Sequence, residues 1–255
     1  ASTYAATLTT DAIALGGNVS GSGASTLTIQ PKTATTTIAI GSAATGTLKL
    51  DDTELGYLQD GFSSITIGST TGTGAIAVAY TTPYTFLDPL TIRSNTSGGG
   101  AISATSALNT GANSLTITTG GAVSVAAITS GTLAITGTGI TLSGDVTTSG
   151  TQSYTGAVTL GADVTLASTG NASTGNDISF SSTINGAKAF TVNAGVGAIT
   201  FNSTIGATNN LTSLSLTTSH ATGITLSGNV TTTGSQTYNG ATTLAATPIT
   251  LTTTG

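Results

Sequence analysis

The chain is poor in the residues that most proteins use for crosslinks, metal binding and charge. Its 255 residues include no cysteine, so neither a disulfide nor a thiolate metal site supports the fold. Charged residues make up 5% of the chain, against roughly 25% in a typical soluble domain. Its only basic residues are Lys32, Lys49, Arg93 and Lys188, which are too few for a nucleic-acid-binding patch. We therefore expect no nucleic-acid partner.

Long apolar runs and methionine are also absent. No stretch of 18 consecutive apolar residues exists, so no membrane span is predicted. A translated chain needs an initiator, and this one has no Met and begins without a signal-like segment. We therefore expect a processed chain or a fragment of a longer polypeptide.

The abundant residues are those that form strands and turns. The chain has 61 Thr, 29 Ser and 35 Gly, which together make about half of its length, and 37% of its residues are apolar. Disordered chains are instead low in apolar residues and rich in charge or proline. Here Ile, Leu and Val alternate with Thr and Ser, which is typical of strands. Solubility must then depend on hydroxyl groups.

One 21-residue segment occurs twice, 84 residues apart. The segment "ITLSGDVTTSGTQSYTGAVTL" spans residues 140–160, and "ITLSGNVTTTGSQTYNGATTL" spans 224–244. A smaller unit, apolar–Thr/Ser–apolar after a glycine, recurs more often at spacings of 14 to 25 residues. Because side chains alternate across a strand, its first and third residues should face a core and its second the solvent. The predicted apolar ladder starts at Ile140, Val164, Ile178, Ile199, Ile224 and Ile249, with Thr141, Thr165, Ser179, Thr200, Thr225 and Thr250 outside.

These repeats predict an all-β fold, a parallel β-helix (β-solenoid) with turns of about 20–25 residues. We expect a single continuous solenoid over residues 1–255, with irregular insertions near 50–62 and 81–90. The 14-residue step from Val164 to Ile178 is too short for a full three-sided turn. Either one side of the three-sided turn is missing there, or the strand register over 164–178 differs from the one given above.

The insertion "LDDTELGYLQDGF" holds four of the nine carboxylates and predicts one short helix near 52–59. Asp52 or Thr53 is the expected N-cap, and Gly61 the expected end. Oxygen ligands in such a segment suit calcium, so Asp51, Asp52, Glu54 and Asp60 are the only metal candidates. Their spacing fits neither an EF-hand nor a glycine-rich nonapeptide loop, and a solvated helix is the favoured interpretation.

No catalytic or cofactor-binding residues are predicted, and the chain is not expected to be an enzyme. Outside the acidic insertion the carboxylates are scattered singly, whereas glycan-cleaving solenoids need clustered acids. Asp145 is replaced by Asn229 in the second copy of the repeat, which suits a turn better than a catalytic acid. His220 has no carboxylate after Asp177 to pair with, so a turn role is favoured.

Three stretches carry a resemblance to a known family. "ELGYLQDGFSSITIGSTTGTGAI", "INGAKAFTVNAGVGAITFNSTIGATNNLTSLSL" and "NVTTTGSQTYNGATTL" resemble the recurring units of very large bacterial surface proteins, the filamentous-haemagglutinin-like, β-strand-repeat proteins. The resemblance implies a right-handed β-helical shaft that is secreted to the cell surface and serves adhesion, aggregation or a filamentous coat. It implies no catalytic residues.

The favoured function is therefore a non-catalytic structural shaft of a secreted cell-surface adhesin or extracellular filament. A second hypothesis is a self-stacking filament or sheath subunit, since unpaired strand edges recruit other chains. A third is an ice- or glycan-binding solenoid, because rows of Thr organise water. The expected partners are another copy joined end to end or the continuation of a longer chain, and surface glycans of a host or neighbouring cell.

Overall fold

Parallel strands stack along most of the chain in the computed structural model, which describes residues 4–169 and 176–255. The fold is an all-β parallel β-solenoid of about 12 turns, which confirms the predicted class. Its elements in chain order are β1 (Ala5–Thr9), β2 (Ser25–Gln30), β3 (Ile38–Ile40), β4 (Leu48–Leu50), α1 (Asp52–Gly56), β5 (Phe62–Gly68), β6 (Ile76–Val78), β7 (Leu90–Arg93), β8 (Ile102–Ala104), β9 (Leu108–Asn109), β10 (Leu115–Thr118), β11 (Ala122–Val125), β12 (Ile128–Ser130) and β13 (Leu133–Leu142). They continue with β14 (Val146–Thr148), β15 (Gln152–Leu160), β16 (Val164–Ser168), β17 (Ile178–Phe180), β18 (Ile184–Asn185), β19 (Ala189–Asn193), β20 (Ile199–Phe201), β21 (Ser213–Thr217), β22 (Ile224–Leu226), β23 (Val230–Thr232), β24 (Gln236–Asn239), β25 (Thr242–Leu244) and β26 (Leu251–Thr253).

The strands form three faces, which the chain visits in the order A, B, C. Face A contains β1, β2, β5, β7, β10, the first parts of β13 and β15, β17, β20, β22 and β25. Face B contains β4, β3, β6, β8, β11, the second parts of β13 and β15, β18, β23 and β26, with Ile205 bridging β18 to β23. Face C contains β9, β12, β14, β16, β19, β21 and β24.

The lengths of the turns vary around the predicted value. On face A, stacked partners are 18 residues apart at Leu115 and Leu133, and 26 apart at Gln152 and Ile178. The strands keep a common register because every inward side chain must lie on another, whereas the corners between faces take up the difference in length.

The predicted ladder is wrong at several positions. Val164 lies on face C, where it stacks on Phe190, and not beneath Ile178. Ile140 lies on face B, where its partners are Val123 and Val158. Leu251 also lies on face B, opposite Val230, so Ile249 and Leu251 do not continue the ladder. Only the run β17, β20 and β22 stacks as expected. The 14-residue step is short because it leads from one face to the next and does not complete a turn.

The two copies of the 21-residue segment lie on different faces. Ile140 begins the first copy on face B, whereas Ile224 begins the second on face A. Local structure is nevertheless preserved, because Gly156 and its equivalent Gly240 both have a positive φ, +136° and +150°. Only glycine adopts such a backbone without strain. The repeating unit is therefore one strand with its corner, and the same unit occurs on different faces.

Inward side chains build one apolar core along the axis. On face A the core contains an aromatic stack, in which Phe180 lies parallel to Tyr154 and to Phe201 with ring centroids 4.9 Å apart in each pair. Phe190 of face C packs edge-on against Phe180 at 5.9 Å. All four rings are at most 1% exposed. Each ring is covered only because the rungs above and below it are present.

The first rungs are irregular. Strand β4 follows β3 in the chain and pairs with the edge of β3 that faces away from β6. Helix α1 follows β4 directly, which confirms one short helix in the acidic insertion. The segment between β6 and β7 has no strand, yet it is fixed to its neighbours. The Tyr84 hydroxyl donates to the Leu55 carbonyl at 2.6 Å, and the Phe86 N–H donates to the Asn109 carbonyl at 2.9 Å. These bonds join the helix to the first strand of face C.

We predict that Phe180→Ala lowers the free energy of unfolding by about 3–5 kcal/mol, the usual loss for a buried aromatic ring. Three ring contacts disappear together with the side chain. Urea unfolding followed by circular dichroism measures the effect. The matched control is Thr200→Ala, which changes an outward residue on the next rung and should cost less than about 1 kcal/mol. Equal losses in the two variants would contradict the assignment of inward and outward positions.

Candidate functional site

The acidic insertion is organised around a helix N-terminus. The Asp51 side chain accepts the Glu54 N–H at 2.9 Å, and Glu54 Oε2 accepts the Asp51 N–H at 3.0 Å, which together form a capping box. The N-cap is thus Asp51, and neither Asp52 nor Thr53 as predicted, because the helix starts directly where β4 ends at Leu50. The helix also ends earlier than predicted, at Gly56 and not at Gly61.

Two of these carboxylates also hold neighbouring segments in place. Glu54 Oε1 accepts the Leu15 N–H at 2.8 Å. Asp52 Oδ1 accepts the Ser42 N–H at 2.6 Å, while Oδ2 accepts both the N–H and the hydroxyl of Thr81. Burial of Asp52 opposes its ionisation, but the hydrogen bonds from Thr81 and Ser42 outweigh burial and lower the pKa of its carboxyl to about 2. Asp52 therefore stays charged and joins three segments of the irregular rungs.

The calcium candidates do not share one site. Asp51, Asp52 and Glu54 direct their oxygens to backbone N–H groups, and Asp60 is an exposed residue beyond the helix. Within residues 4–169 and 176–255, no three His, Cys, Asp or Glu side chains come together as a metal site would require. A solvated helix without a bound metal stays the prediction for the acidic insertion.

Three of the scattered carboxylates and one asparagine share a structural role that sequence reasoning missed. Each of the four lies just before a strand and accepts a backbone N–H from the next rung. Asp145 bonds Thr165 at 2.8 Å, Asp163 bonds Ala189 at 2.9 Å, Asp177 bonds Ala198 at 2.8 Å, and Asn229 bonds Thr250 at 2.9 Å. The signal was present in the sequence as Asp or Asn followed by Val or Ile, in "GDV", "ADV", "NDI" and "GNV". Asn replaces Asp in the second copy because its side-chain oxygen accepts the same bond.

The repeated tyrosines belong to a matched polar network. In the first copy the Gln152 amide donates to Thr148 Oγ1 at 3.1 Å and the Ala167 carbonyl at 3.0 Å, and the Tyr154 hydroxyl donates to Gln152 Oε1 at 2.9 Å. The second copy repeats all three bonds with Gln236, Thr232, Thr252 and Tyr238. Tyr154 is buried and Tyr238 is half-buried. The pair therefore serves packing within the turns and offers no exposed aromatic platform.

His220 lies in a surface turn. Its carbonyl accepts the Gly223 N–H at 3.0 Å, and its Nδ1 accepts the Thr222 N–H at 3.1 Å. Its hydrogen-bonding partners are thus residues of its own turn, as the favoured interpretation of the sequence has it.

Outward hydroxyls occur on all three faces. The predicted single column is wrong, because Thr141 belongs to face B and Thr165 to face C. The register gives one column per face: Thr28, Thr66, Thr91, Thr116, Ser153, Ser179, Thr200, Thr225 and Thr243 on A, interrupted by Ala134; Ser103, Ser124, Thr141 and Thr159 on B; and Thr165, Thr191, Ser215 and Thr237 on C. A β-branched hydroxyl residue tolerates any strand. Hydroxyl columns therefore occur on every face, and the longest one lies on face A.

A small cavity lies beside the irregular segment after β6. Its volume is about 190 Å³, and it is lined by Tyr80, Thr81, Thr82, Pro83, Ser106 and Ala107. Tyr80 is the one titratable residue of this lining, and burial raises the pKa of its phenol, which stays neutral. The lining offers no pair of acidic and basic groups for proton transfer.

We expect Asp145→Asn to leave the free energy of unfolding unchanged within about 0.5 kcal/mol, because Asn229 performs the same role in the second copy. Asp145→Ala removes the bond to the Thr165 N–H and should cost about 1 kcal/mol, as the loss of a capping residue does. Urea unfolding of the two variants measures both values. If Asn is as harmful as Ala, the carboxylate acts through its charge and the structural role is wrong.

A second prediction concerns the contribution of Asp52 to stability at low pH. A carboxyl whose pKa is lowered by folding contributes stability above its ordinary value of 3.8 and loses it as the pH falls towards 2. Asp52→Asn should therefore lower the melting temperature at pH 7 and have little effect at pH 2. Calorimetry at the two pH values measures this. An equal difference at both would show that ionisation of Asp52 is not the cause.

Two further findings bear on the identity of the chain. No helix of residues 4–169 and 176–255 is long and apolar enough to cross a membrane. Comparison with protein-family models, curated proteins and solved structures finds no match. The fold is therefore defined by the strand register of this chain alone, and the proposed function rests on the geometry of its described residues.

Proposed function

We propose that the chain is a non-catalytic structural shaft of a secreted cell-surface adhesin or extracellular filament. The observation that carries this proposal is the continuous stacking of strands around one apolar core. Face A alone runs through paired strands from β1 to β25. In such an arrangement each turn adds the same core and backbone bonds, so length is gained without a change of fold. A long, stiff spacer needs this property.

The use of the polar side chains supports the same function. Asp145, Asp163 and Asp177 are engaged in bonds between rungs, and Gln152 is engaged inside the core. These groups hold the rungs together and are not free for proton transfer or ligand binding. The near-neutral, hydroxyl-rich exterior suits a surface exposed outside the cell, and the resemblance to giant bacterial surface proteins points to the same location.

A self-stacking filament subunit is the second candidate, and one observation favours it. The last rung exposes apolar side chains that point inward in every earlier rung, with Leu244 49% and Leu251 44% exposed. Among the strands of residues 4–169 and 176–255, none pairs with the outer edge of β25 or β26. A second copy placed end to end would cover this edge, and so would further rungs of the same chain.

Negative-stain electron microscopy of the purified chain, with mass analysis, tests both candidates. About 12 turns at roughly 4.8 Å per rung give a rod about 6 nm long. Isolated rods of one chain support the shaft, and long fibres support the stacking subunit. Compact particles without a long axis would contradict both.

A pair of variants distinguishes end-to-end stacking from nonspecific aggregation. Leu244→Asp places a charge on the apolar edge and should abolish fibres. Thr243→Asp places the same charge on an outward position of the same strand and should leave fibres intact. If both variants still form fibres, end-to-end stacking through this edge is wrong.

A further inference from the structure

The cavity after β6 lies at a corner where two neighbouring rungs diverge. Strands β6 and β8 pair on face B. Only three residues separate β8 from β9 of face C. Residues 79–85 instead connect β6 to Phe86, the residue that bonds to β9. Because the longer connection does not follow the shorter one, a cavity of about 190 Å³ lies between residues 80–83 and 106–107.

Both walls of the cavity are fixed by hydrogen bonds. The Tyr80 N–H donates to Ser106 Oγ at 2.9 Å, which joins one wall to the other. Thr81 is bound through its N–H and its hydroxyl to the Asp52 carboxylate. The Tyr84 hydroxyl holds the far end of the segment to a carbonyl of α1 at 2.6 Å. The cavity is therefore preformed, and a ligand can bind there without first ordering its walls.

The lining brings carbon surfaces and hydroxyl groups together. The Tyr80 hydroxyl is fully buried, so this side chain meets the cavity only through carbon atoms, and Pro83 and Ala107 add further carbon surface. Ser106 Oγ accepts the Tyr80 N–H, which leaves its own hydrogen to donate. In the part of the chain that the structure describes, the Thr82 hydroxyl has no hydrogen-bond partner. Two hydroxyls thus lie beside apolar walls.

Charge and size limit the ligand that this lining accepts. The neighbouring carboxylate of Asp52 is already bound by Thr81, and the six lining residues include no basic side chain. A charged ligand would therefore find no counter-charge. A cavity of about 150 Å³ holds one benzene ring, so this cavity has room for one six-membered ring. A plain aromatic ring would leave both hydroxyls unpaired, whereas a pyranose has an apolar C–H face and hydroxyl groups.

We propose that the cavity between residues 80–83 and 106–107 binds one neutral pyranose ring, either as a free sugar or as the end of a glycan. The apolar face of the ring lies against Tyr80 and Pro83. The sugar hydroxyls bond to Thr82 and Ser106. The site is independent of the shaft function, because the rungs stack whether or not the cavity is filled.

NMR titration of the isotope-labelled chain tests this site. The probes are the methyl pyranosides of glucose, galactose and mannose, with phenol as a ring that lacks the set of hydroxyls. At least one glycoside should shift the amide resonances of residues 81–82 and 106–107 with a dissociation constant of roughly 1 mM, as expected for a ligand of this size. Phenol should bind more weakly. An oligosaccharide that ends in the same ring distinguishes the sources, because its binding identifies a glycan end and binding of the glycoside alone a free sugar.

Two leucine variants locate the binding. Ala107→Leu fills the cavity and should abolish the shifts. Ala187→Leu is the matched control and should bind as the natural chain does, because Ala187 is also exposed and lies at the corner between faces B and C on a later rung. Thr82→Val removes one hydroxyl at an exposed position, so it gives a readout even if Ala107→Leu does not fold. It should weaken binding about three- to tenfold, the loss of one hydrogen bond.

Any of three results overturns the proposal. The first is that no glycoside or oligosaccharide gives saturable shifts at the lining residues. The second is that the two leucine variants behave alike, whether both bind or both fail to bind. The third is that phenol binds more tightly than every glycoside, because the cavity would then select apolar rings and not sugars.

Discussion

Each rung of this protein depends on the next rung for the burial of its apolar side chains. A single strand of three to five residues has too little apolar surface to offset its own ordering, and here it gains burial only where other strands lie above and below it. The stack of Tyr154, Phe180 and Phe201 shows this dependence most plainly, since each ring covers the flat side of another. Register, core composition and the tolerance for corners of different length all follow from this constraint.

A second set of bonds fixes the corners, where the backbone ladder is interrupted. An Asp or Asn just before a strand accepts an N–H from the rung that follows, at Asp145, Asp163, Asp177 and Asn229. Inside the core, Gln152 connects one corner to a carbonyl two faces further on. These acidic and amide side chains therefore stabilise turns, and the surface between them is rich in hydroxyl groups.

Much of the fold could be predicted from the sequence, but the assignment of strands to faces could not. The alternation of Ile, Thr and Leu determines which side chains point inward, and the glycine before each unit indicates a corner. Nothing in a unit states its face, because the same strand fits all three. The alternation therefore predicts Val164 beneath Ile178, whereas Val164 stacks on Phe190. The short helix is predicted, but its N-cap is expected at Asp52 or Thr53 and lies at Asp51, because strand and helix are joined there without a linker.

The different placement of the two copies has a consequence for how such a chain can be lengthened. If the duplicated unit is a face and not a turn, inserting one extra unit rotates everything after it by a third of a revolution about the axis. A loop carried by one copy then points in a different direction from the same loop in another copy. Duplication can thus distribute one short surface motif around the circumference of a rod as well as along it, with no change in the packing inside.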